Sequence, residues 1–290
     1  MQELTDPRAM RAWSRATRRA GARLAFVPTM GSLHEGHLRL VDWARERADR
    51  VALSIFVNPL QFGPQEDFAS YPRDLERDRA LAVARGVDAL FAPAPDAMYP
   101  VEPVVRVAPG PMADAFEGAV RPGHFGGVLT VVAKLFHAAE PDVAVFGRKD
   151  FQQAMLVRRM VADLDFPLEV EVAPTVRELD GLALSSRNAY LKGDERRSAL
   201  ALSRALRAVE QAWRAGQADA AALGRRGLEV LGVPGVTPDY LALVDDQLRP
   251  VERADAHTVV ITAVRLGRTR LLDNAVLGEG VARDPVAGAA

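Results

Sequence analysis

The stretch Leu24-Ala25-Phe26-Val27-Pro28-Thr29-Met30-Gly31-Ser32-Leu33-His34-Glu35-Gly36-His37 decides how this chain is read. Leu24 to Val27 is an unbroken apolar run, the pattern of a strand. From Gly36 to Asp49 apolar side chains recur at Leu38, Val41, Ala44 and Ala48, which places them on one face of a helix. A second apolar run, Val51 to Val57, follows at once. Strand, helix and strand in such short succession predict a parallel sheet covered by helices.

Working outward, the alternation continues. Leu75 to Arg85 is expected to be helical, Ala89 to Ala92 a strand, Val128 to Ala139 a helix, Val143 to Phe146 a strand, Gln152 to Leu164 a helix and Leu168 to Val172 a strand. Around Pro174 the pattern changes. Helices near Glu195 to Ala215 and Ala220 to Leu231 precede short strands near Tyr240 to Val244, Thr258 to Val264 and Thr269 to Asp273. This predicts a smaller α+β domain with a boundary near residue 175. The Ala- and Gly-rich tail after Leu277 is expected to fray.

Composition narrows the function classes. The 290 residues are 49% hydrophobic, enough to bury a substantial core, and the formal net charge of -1 offers no basic stripe for a nucleic acid. With no cysteine there are no disulfides, thiolate metal sites or cysteine nucleophiles. No apolar run approaches the ~20 residues of a membrane span, and Met1 to Arg19 lacks the core of a signal peptide, so a cytoplasmic location is expected. Only three of the 37 basic residues are lysines, Lys134, Lys149 and Lys192. A lysine inside a loop motif therefore carries more information than usual.

In open α/β sheets ligands gather beyond the carboxyl ends of the strands, where helix N-termini attract anions. Three unusual segments fall there. In the first, His34 and His37 share one face of a helix start, with Gly36 between them to let a ligand approach the backbone. Imidazoles so placed can donate to phosphate oxygens; the bland alternative is a solvated turn. A zinc site is the weaker reading, because His124, His137 and His257 complete no clear ligand set. The second segment runs from Phe56 to Gly63, where Asn58 and Gln61 would suit a hydroxyl or carboxylate, although spacing alone favours an ordinary Asn-Pro turn. In the third, Gly147-Arg148-Lys149-Asp150-Phe151-Gln152-Gln153, Lys149 could reach phosphates and Asp150 ribose hydroxyls. Further on, Leu184-Ser185-Ser186-Arg187-Asn188 forms a polar cluster apt for a departing pyrophosphate.

Taken together and in order, these segments resemble the pantothenate synthetases, pantoate and β-alanine ligases of the His-x-Gly-His nucleotidyltransferase superfamily. The resemblance extends through Tyr71-Pro72-Arg73, Met98-Tyr99-Pro100, Arg121-Pro122-x-His124-Phe125, Asp180-Gly181-Leu182 and Thr269-Arg270-Leu271-Leu272-Asp273-Asn274. It implies a Rossmann-like parallel-sheet domain with helices on both faces over residues 1–175, and a smaller α+β lid domain over residues 176–290. It also implies a homodimer with ATP, pantoate and β-alanine as small-molecule substrates, Mg²⁺ accompanying the ATP, and neither nucleic acid nor membrane as partner.

Carried over by position, the resemblance gives His34, His37, Lys149, Ser185, Ser186 and Arg187 to the phosphates and to catalysis. Gly36, Gly147, Asp150, Val176 and Leu184 would frame the nucleotide together with Met30. Pro28, Thr29, Met30, Phe56, Asn58, Gln61, Arg121 and Gln153 would border pantoate. Two departures stand out: Arg148 occupies a place where the family leads one to expect an acidic residue, and Leu184 one that is often methionine. The first is expected to add positive charge beside the phosphate site. Rival readings are a related nucleotidyltransferase acting on a phosphate ester, disfavoured by the neutral Asn58 to Phe62 segment, and a catalytically silent nucleotide-binding protein.

Overall fold

The computed structural model of the protein describes residues 1–64 and 66–281. The chain divides into two compact units, one of Met1–Gly147 with Leu156–Ala173, the other of Arg148–Met155 with the chain from Pro174 onward. In chain order the elements are β1 (Gln2–Leu4), α1 (Pro7–Arg19), β2 (Leu24–Thr29), α2 (Glu35–Arg45), β3 (Arg50–Ile55), α3 (Leu75–Ala84), β4 (Ala89–Phe91), α4 (Pro95–Met98), α5 (Glu117–Val120), α6 (His124–Ala139), β5 (Val143–Gly147), α7 (Phe151–Asp163) and β6 (Glu169–Ala173). Then come α8 (Gly193–Ser198), α9 (Ala201–Arg214), α10 (Ala220–Leu231), β7 (Val236–Val244), β8 (Val259–Leu266) and β9 (Thr269–Val276).

The larger unit is built on a six-stranded sheet in the order β1-β4-β3-β2-β5-β6, parallel throughout. Alternate residues of its strands face opposite ways, and both sides are apolar. Ala25, Val27, Val51, Leu53, Leu90, Val143 and Val145 pack with Leu40, Val41 and Ala44 of α2 and Ala82 of α3. On the other face Phe146 meets Phe136 of α6 edge-on at 6.4 Å, and α6 is flanked by α1. Strand order reverses between β2 and β5, so the loop leaving β2, which carries His34, opens at the switch point where such sheets bind ligands.

The smaller unit contains an antiparallel sheet, β7-β8-β9, with α9 and α10 packed on it around Leu206, Val209, Leu223, Leu243 and Val260. Pro238 has no N–H for the ladder, and the register shifts between it and Tyr240.

Several boundaries differ from those read in the sequence. α1 was missed because only Met10 and Ser14 are buried on it; Asp6 caps it by accepting from the N–H groups of Arg8 and Ala9 at 2.8 and 3.1 Å. α6 begins at His124, four residues before the apolar run, because Gly126 and Gly127 dilute the helical signal. The helix expected over Glu195 to Ala215 is two, α8 and α9, with a short bond from Leu202 N–H to Ala199 C=O at the join. The chain beyond Leu277 does not loosen at once: Leu277 and Val281 are buried against α9. The rest of that tail lies outside the described residues. Among the described residues no helix is long and apolar enough to cross a membrane.

Candidate active site

After β2 the chain turns sharply to enter α2. Gly31 adopts φ +82° and Ser32 φ +51°, and a Cβ on Gly31 would lie 2.9 Å from Ile55 Cγ2 and 3.0 Å from Asp78 Oδ2. Only glycine fits there. Asp78, on α3 and 1% exposed, holds the turn by accepting from the N–H groups of Ser32 and Leu33, both at 2.7 Å. Burial raises its carboxyl above the ordinary aspartate range, while those two N–H groups pull the other way. Thr29 Oγ1 donates to Ser54 C=O at 2.7 Å and accepts from Gly31 N–H at 3.1 Å, which commits that hydroxyl to the turn.

His34 is the N-cap of α2, and its ring stacks on that of His37 with centroids 4.0 Å apart and planes 25° from parallel. The His34 N–H points at His37 Nδ1 at 3.4 Å. A ring that accepts at Nδ1 carries its neutral proton on Nε2, so His37 presents an N–H donor at the start of an 11-residue helix. The helix dipole and two imidazoles together suit an anion, and above all the charge that builds on a phosphorus under attack.

Beyond β3 the expected Asn-Pro turn is present, with Asn58 Oδ1 capping Pro59–Gln61. Asn58 is 1% exposed, and its amide nitrogen donates to Gln61 Oε1 and to Gly127 C=O, both at 3.1 Å. Its oxygen accepts from the Tyr99 hydroxyl at 2.9 Å. Asn58 is thus the holder of Gln61 rather than an open polar group. Gln61 Nε2 in turn lies 3.1 Å from Met30 Sδ, which joins the β2 and β3 loops. Tyr99 also packs on Phe56 at 6.1 Å, and burial pushes its hydroxyl up to about 12, so it stays a neutral donor. Pro28, half buried, lies in the strand just before Met30.

Arg121, expected beside a substrate, is engaged elsewhere in this structure. Its guanidinium grips the Glu66 carboxylate through Nε and Nη2 at 2.7 and 2.6 Å, and Nη1 donates to His124 Nε2 at 2.9 Å. His124 Nδ1 donates to Gln61 C=O at 2.8 Å. Burial, followed by the Arg121 charge, lowers the His124 pKa from 6.5 to about 4, so the ring is neutral with its proton on Nδ1. Burial works to raise the Glu66 carboxyl, but the Arg121 bonds and charge prevail and hold it below the ordinary range. Glu66, Arg121 and His124 form a chain that ends on the backbone of Gln61.

The remaining candidates follow the end of β5 and the segment after β6. Gly147 closes β5, and Arg148–Asp150 form a single 3₁₀ turn leading into α7, on whose first turn Gln153 is half buried. Lys149 Nζ sits 3.7 Å from Asp150 Oδ1. The Arg148 guanidinium does not add free charge beside Lys149, as its sequence position led one to expect; it pairs with Glu279, and Arg148 is 9% exposed. A partner 131 residues away is invisible to a local reading. Val176 and Leu184 close a hairpin through the bond from Leu184 N–H to Val176 C=O at 2.9 Å. Beyond it Ser185 Oγ caps the turn Ser186–Tyr190 by accepting from Arg187 N–H at 3.3 Å.

Within the larger unit the structure brings together Met30, Gln61, Asn58 and Phe56 on one side and stacks His34 with His37 on the other. Sequence reasoning passed over Asp78, because it lies among Asp74, Glu76, Arg77 and Arg79 and looks like one more solvated charge. Glu66 carried no signal. Tyr99 and Asn274 were legible only as parts of family motifs. Among the described residues no group of three or more His, Asp or Glu could hold a metal ion.

Residues 2–276 match the family model described as Pantoate-beta-alanine ligase. Pantothenate synthetase of Moorella thermoacetica is 51% identical over 280 residues, covering 96% of this chain and 99% of its own, and that of Syntrophotalea carbinolica is 53% identical over 266 residues, covering 91% and 94%. The crystal structure of pantothenate synthetase from Thermus thermophilus superimposes with a TM-score of 0.89 at 50% identity, covering 96% of this chain and 99% of the other. Pantoate-beta-alanine ligase from Francisella tularensis, solved with a β,γ-ATP ligand and β-alanine, gives a TM-score of 0.78 at 31% identity, covering 97% and 99%.

Proposed function

The chain belongs to the pantoate-beta-alanine ligase family, and from that premise we propose how its residues carry the family's reaction. The enzyme condenses pantoate with β-alanine, consuming ATP and giving pantothenate, AMP and pyrophosphate by way of pantoyl adenylate. In the first step a pantoate carboxylate oxygen attacks the α-phosphorus and the bond to pyrophosphate breaks. In the second the β-alanine amine attacks the acyl carbon, AMP departs with the carboxylate oxygen, and the amine loses a proton. A carboxylate alone resists an amine because its leaving group would be oxide. The protein therefore has to position the reactants and neutralise charge rather than supply a nucleophile.

In our reading His37 Nε2 and the His34 ring donate to the phosphate under attack, and Lys149, Ser185, Ser186 and Arg187 hold the rest of the triphosphate. Gly36, Gly147, Asp150, Val176 and Leu184 frame ribose and adenine. Pantoate lies against Pro28, Thr29, Met30, Phe56, Gln61 and Gln153, with Asn58 acting through Gln61. Arg121 joins them only if it leaves Glu66. Residues 1–175 then carry most of both sites. The observation that supports this most directly is the stacked imidazole pair on an anchored helix N-terminus, in the same unit as the Met30–Gln61 pair. Among the described residues no cluster is ready for a metal, and in this reading Mg²⁺ would enter on the phosphates of ATP and stay mostly hydrated. The family resemblance also argues for a homodimer, which light scattering on purified protein would test. The absence of cysteine is compatible with a reducing cytoplasm.

Exchange of labelled pyrophosphate into ATP, with Mg²⁺ and with or without pantoate, tests the reading. Exchange that requires pantoate supports it; folded protein that binds ATP but catalyses no exchange with pantoate or any other small acid overturns it.

A further inference from the structure

Among the motifs with no place in the mechanism above are Asp180-Gly181-Leu182 and the end of Thr269-Arg270-Leu271-Leu272-Asp273-Asn274. Asp273 and Asn274 are consecutive on β9 and are 2% and 1% exposed. Asp273 meets the fully buried Arg177 in a bidentate pair, Nη1 to Oδ2 at 2.7 Å and Nη2 to Oδ1 at 3.0 Å. The same guanidinium donates to Gly181 C=O at 3.1 Å and to Asn274 C=O at 3.3 Å, and Asp273 Oδ1 accepts from Asn274 N–H at 2.8 Å. The ion pair thus ties the Gly181 turn to the backbone of Asn274.

The Asn274 side chain reaches away from the pair. Its Nδ2 donates to Arg148 C=O at 2.8 Å and to Lys149 C=O at 2.9 Å, so both amide protons end on successive carbonyls of the turn that presents Lys149. Few side chains could do this. Aspartate would set a carboxylate against two carbonyl oxygens, serine has one proton, and glutamine is a methylene too long for the same backbone. The Arg148–Glu279 pair adds a second tether to the turn. A buried ion pair adds little net stability over a well-packed apolar replacement, so its value here lies in the geometry it dictates.

We propose that Asn274, set in place by the Arg177–Asp273 pair, is a positioning residue that aims Lys149 at the phosphates; this rests on the role given to Lys149 above. Displacing a catalytic group by about 1 Å can cost about 100-fold in rate. Asn274→Ala should therefore slow single-turnover formation of pantoyl adenylate about 10- to 100-fold per folded molecule, lowering kcat more than it raises the KM for ATP. Asn274→Ser, which keeps one donor, should fall between Asn274→Ala and the parent protein.

The measurement is rapid-quench adenylation with ATP, Mg²⁺ and pantoate, scaled by the folded fraction from circular dichroism, for Asn274→Ala, Asn274→Ser, Lys149→Ala and the double variant Asn274→Ala/Lys149→Ala. A residue that works through Lys149 has little left to lose once Lys149 is gone, so the double variant should match Lys149→Ala within about twofold. If Lys149→Ala is slow while folded Asn274→Ala and Asn274→Ser both run at the parent rate, the positioning role fails and the role of Lys149 stands. A loss from Asn274→Ala that is equally large without Lys149 also overturns it. If Lys149→Ala itself runs at the parent rate, the role of Lys149 falls first.

Discussion

Acid should destabilise this protein in part through His124, by an amount that the structure sets. The residue is 9% exposed, donates from Nδ1 to Gln61 C=O at 2.8 Å and accepts at Nε2 from Arg121 at 2.9 Å. A proton added at Nε2 would point at a guanidinium N–H. Burial and that neighbouring cation lower the pKa from 6.5 to about 4. In the unfolded chain the ring titrates near its ordinary value, so below about pH 6.5 the unfolded state takes up a proton that the native state refuses. A depressed native pKa therefore contributes stability that is complete above the unfolded value and fades as pH falls toward the native one. The interval from 6.5 to about 4 spans roughly 2.5 pH units, which at about 1.36 kcal/mol each is worth about 3 kcal/mol. That is a large share of the about 5–15 kcal/mol that stabilises most domains. Urea unfolding of the parent protein and of His124→Asn, from about pH 7.5 down to about pH 4, brings out the effect, because the carboxylates other than Glu66 titrate alike in both. Asparagine keeps a donor for Gln61 and has nothing to protonate. The parent protein should lose about 3 kcal/mol more than the variant across the interval; parallel stability curves would refute a buried neutral imidazole.

Removing a preorganised donor from the adenylation site should be costly for chemistry and cheap for folding. His37→Ala and Lys149→Ala should each melt near the parent temperature yet form pantoyl adenylate about 100-fold more slowly, a loss of roughly 3 kcal/mol, and near-normal single-turnover rates would remove the role given to either residue. Gly127→Ala would favour α6 by about 1 kcal/mol on helix propensity alone. However, the new Cβ would collide with Leu60 C=O and fall 2.7 Å from Gln61 Cα, so we expect a net loss of roughly 3 kcal/mol by denaturant titration and a raised KM for pantoate. Asp78→Ala strips the partners from the Ser32 and Leu33 N–H groups and should cost about 2–4 kcal/mol along with a matching fall in adenylation. Unchanged adenylation in that folded variant would show that the turn before His34 holds itself.

The sequence by itself determined the layered α/β architecture, because apolar runs buried on both faces of a parallel sheet and a 3.6-residue stripe on α2 leave few other folds open. It also located the loops that carry His34, Lys149 and Ser185, since glycines, histidines and a rare lysine at strand ends are a local signal. What it could not determine is what each polar side chain touches. Asn58 looked like a substrate group, but it holds Gln61, Tyr99 and Gly127 together. Arg148 looked like surplus charge, but it pairs with Glu279. Asp78 and Glu66 carried no local signal, but one anchors the Gly31 turn and the other holds Arg121. Apart from Gln61, three residues from Asn58, these partners lie tens to more than a hundred residues apart in the chain. Hydrogen bonds and ion pairs depend on distances of about 3 Å, and only the folded chain brings such residues that close, so local pattern reveals the scaffold and tertiary contact decides the role.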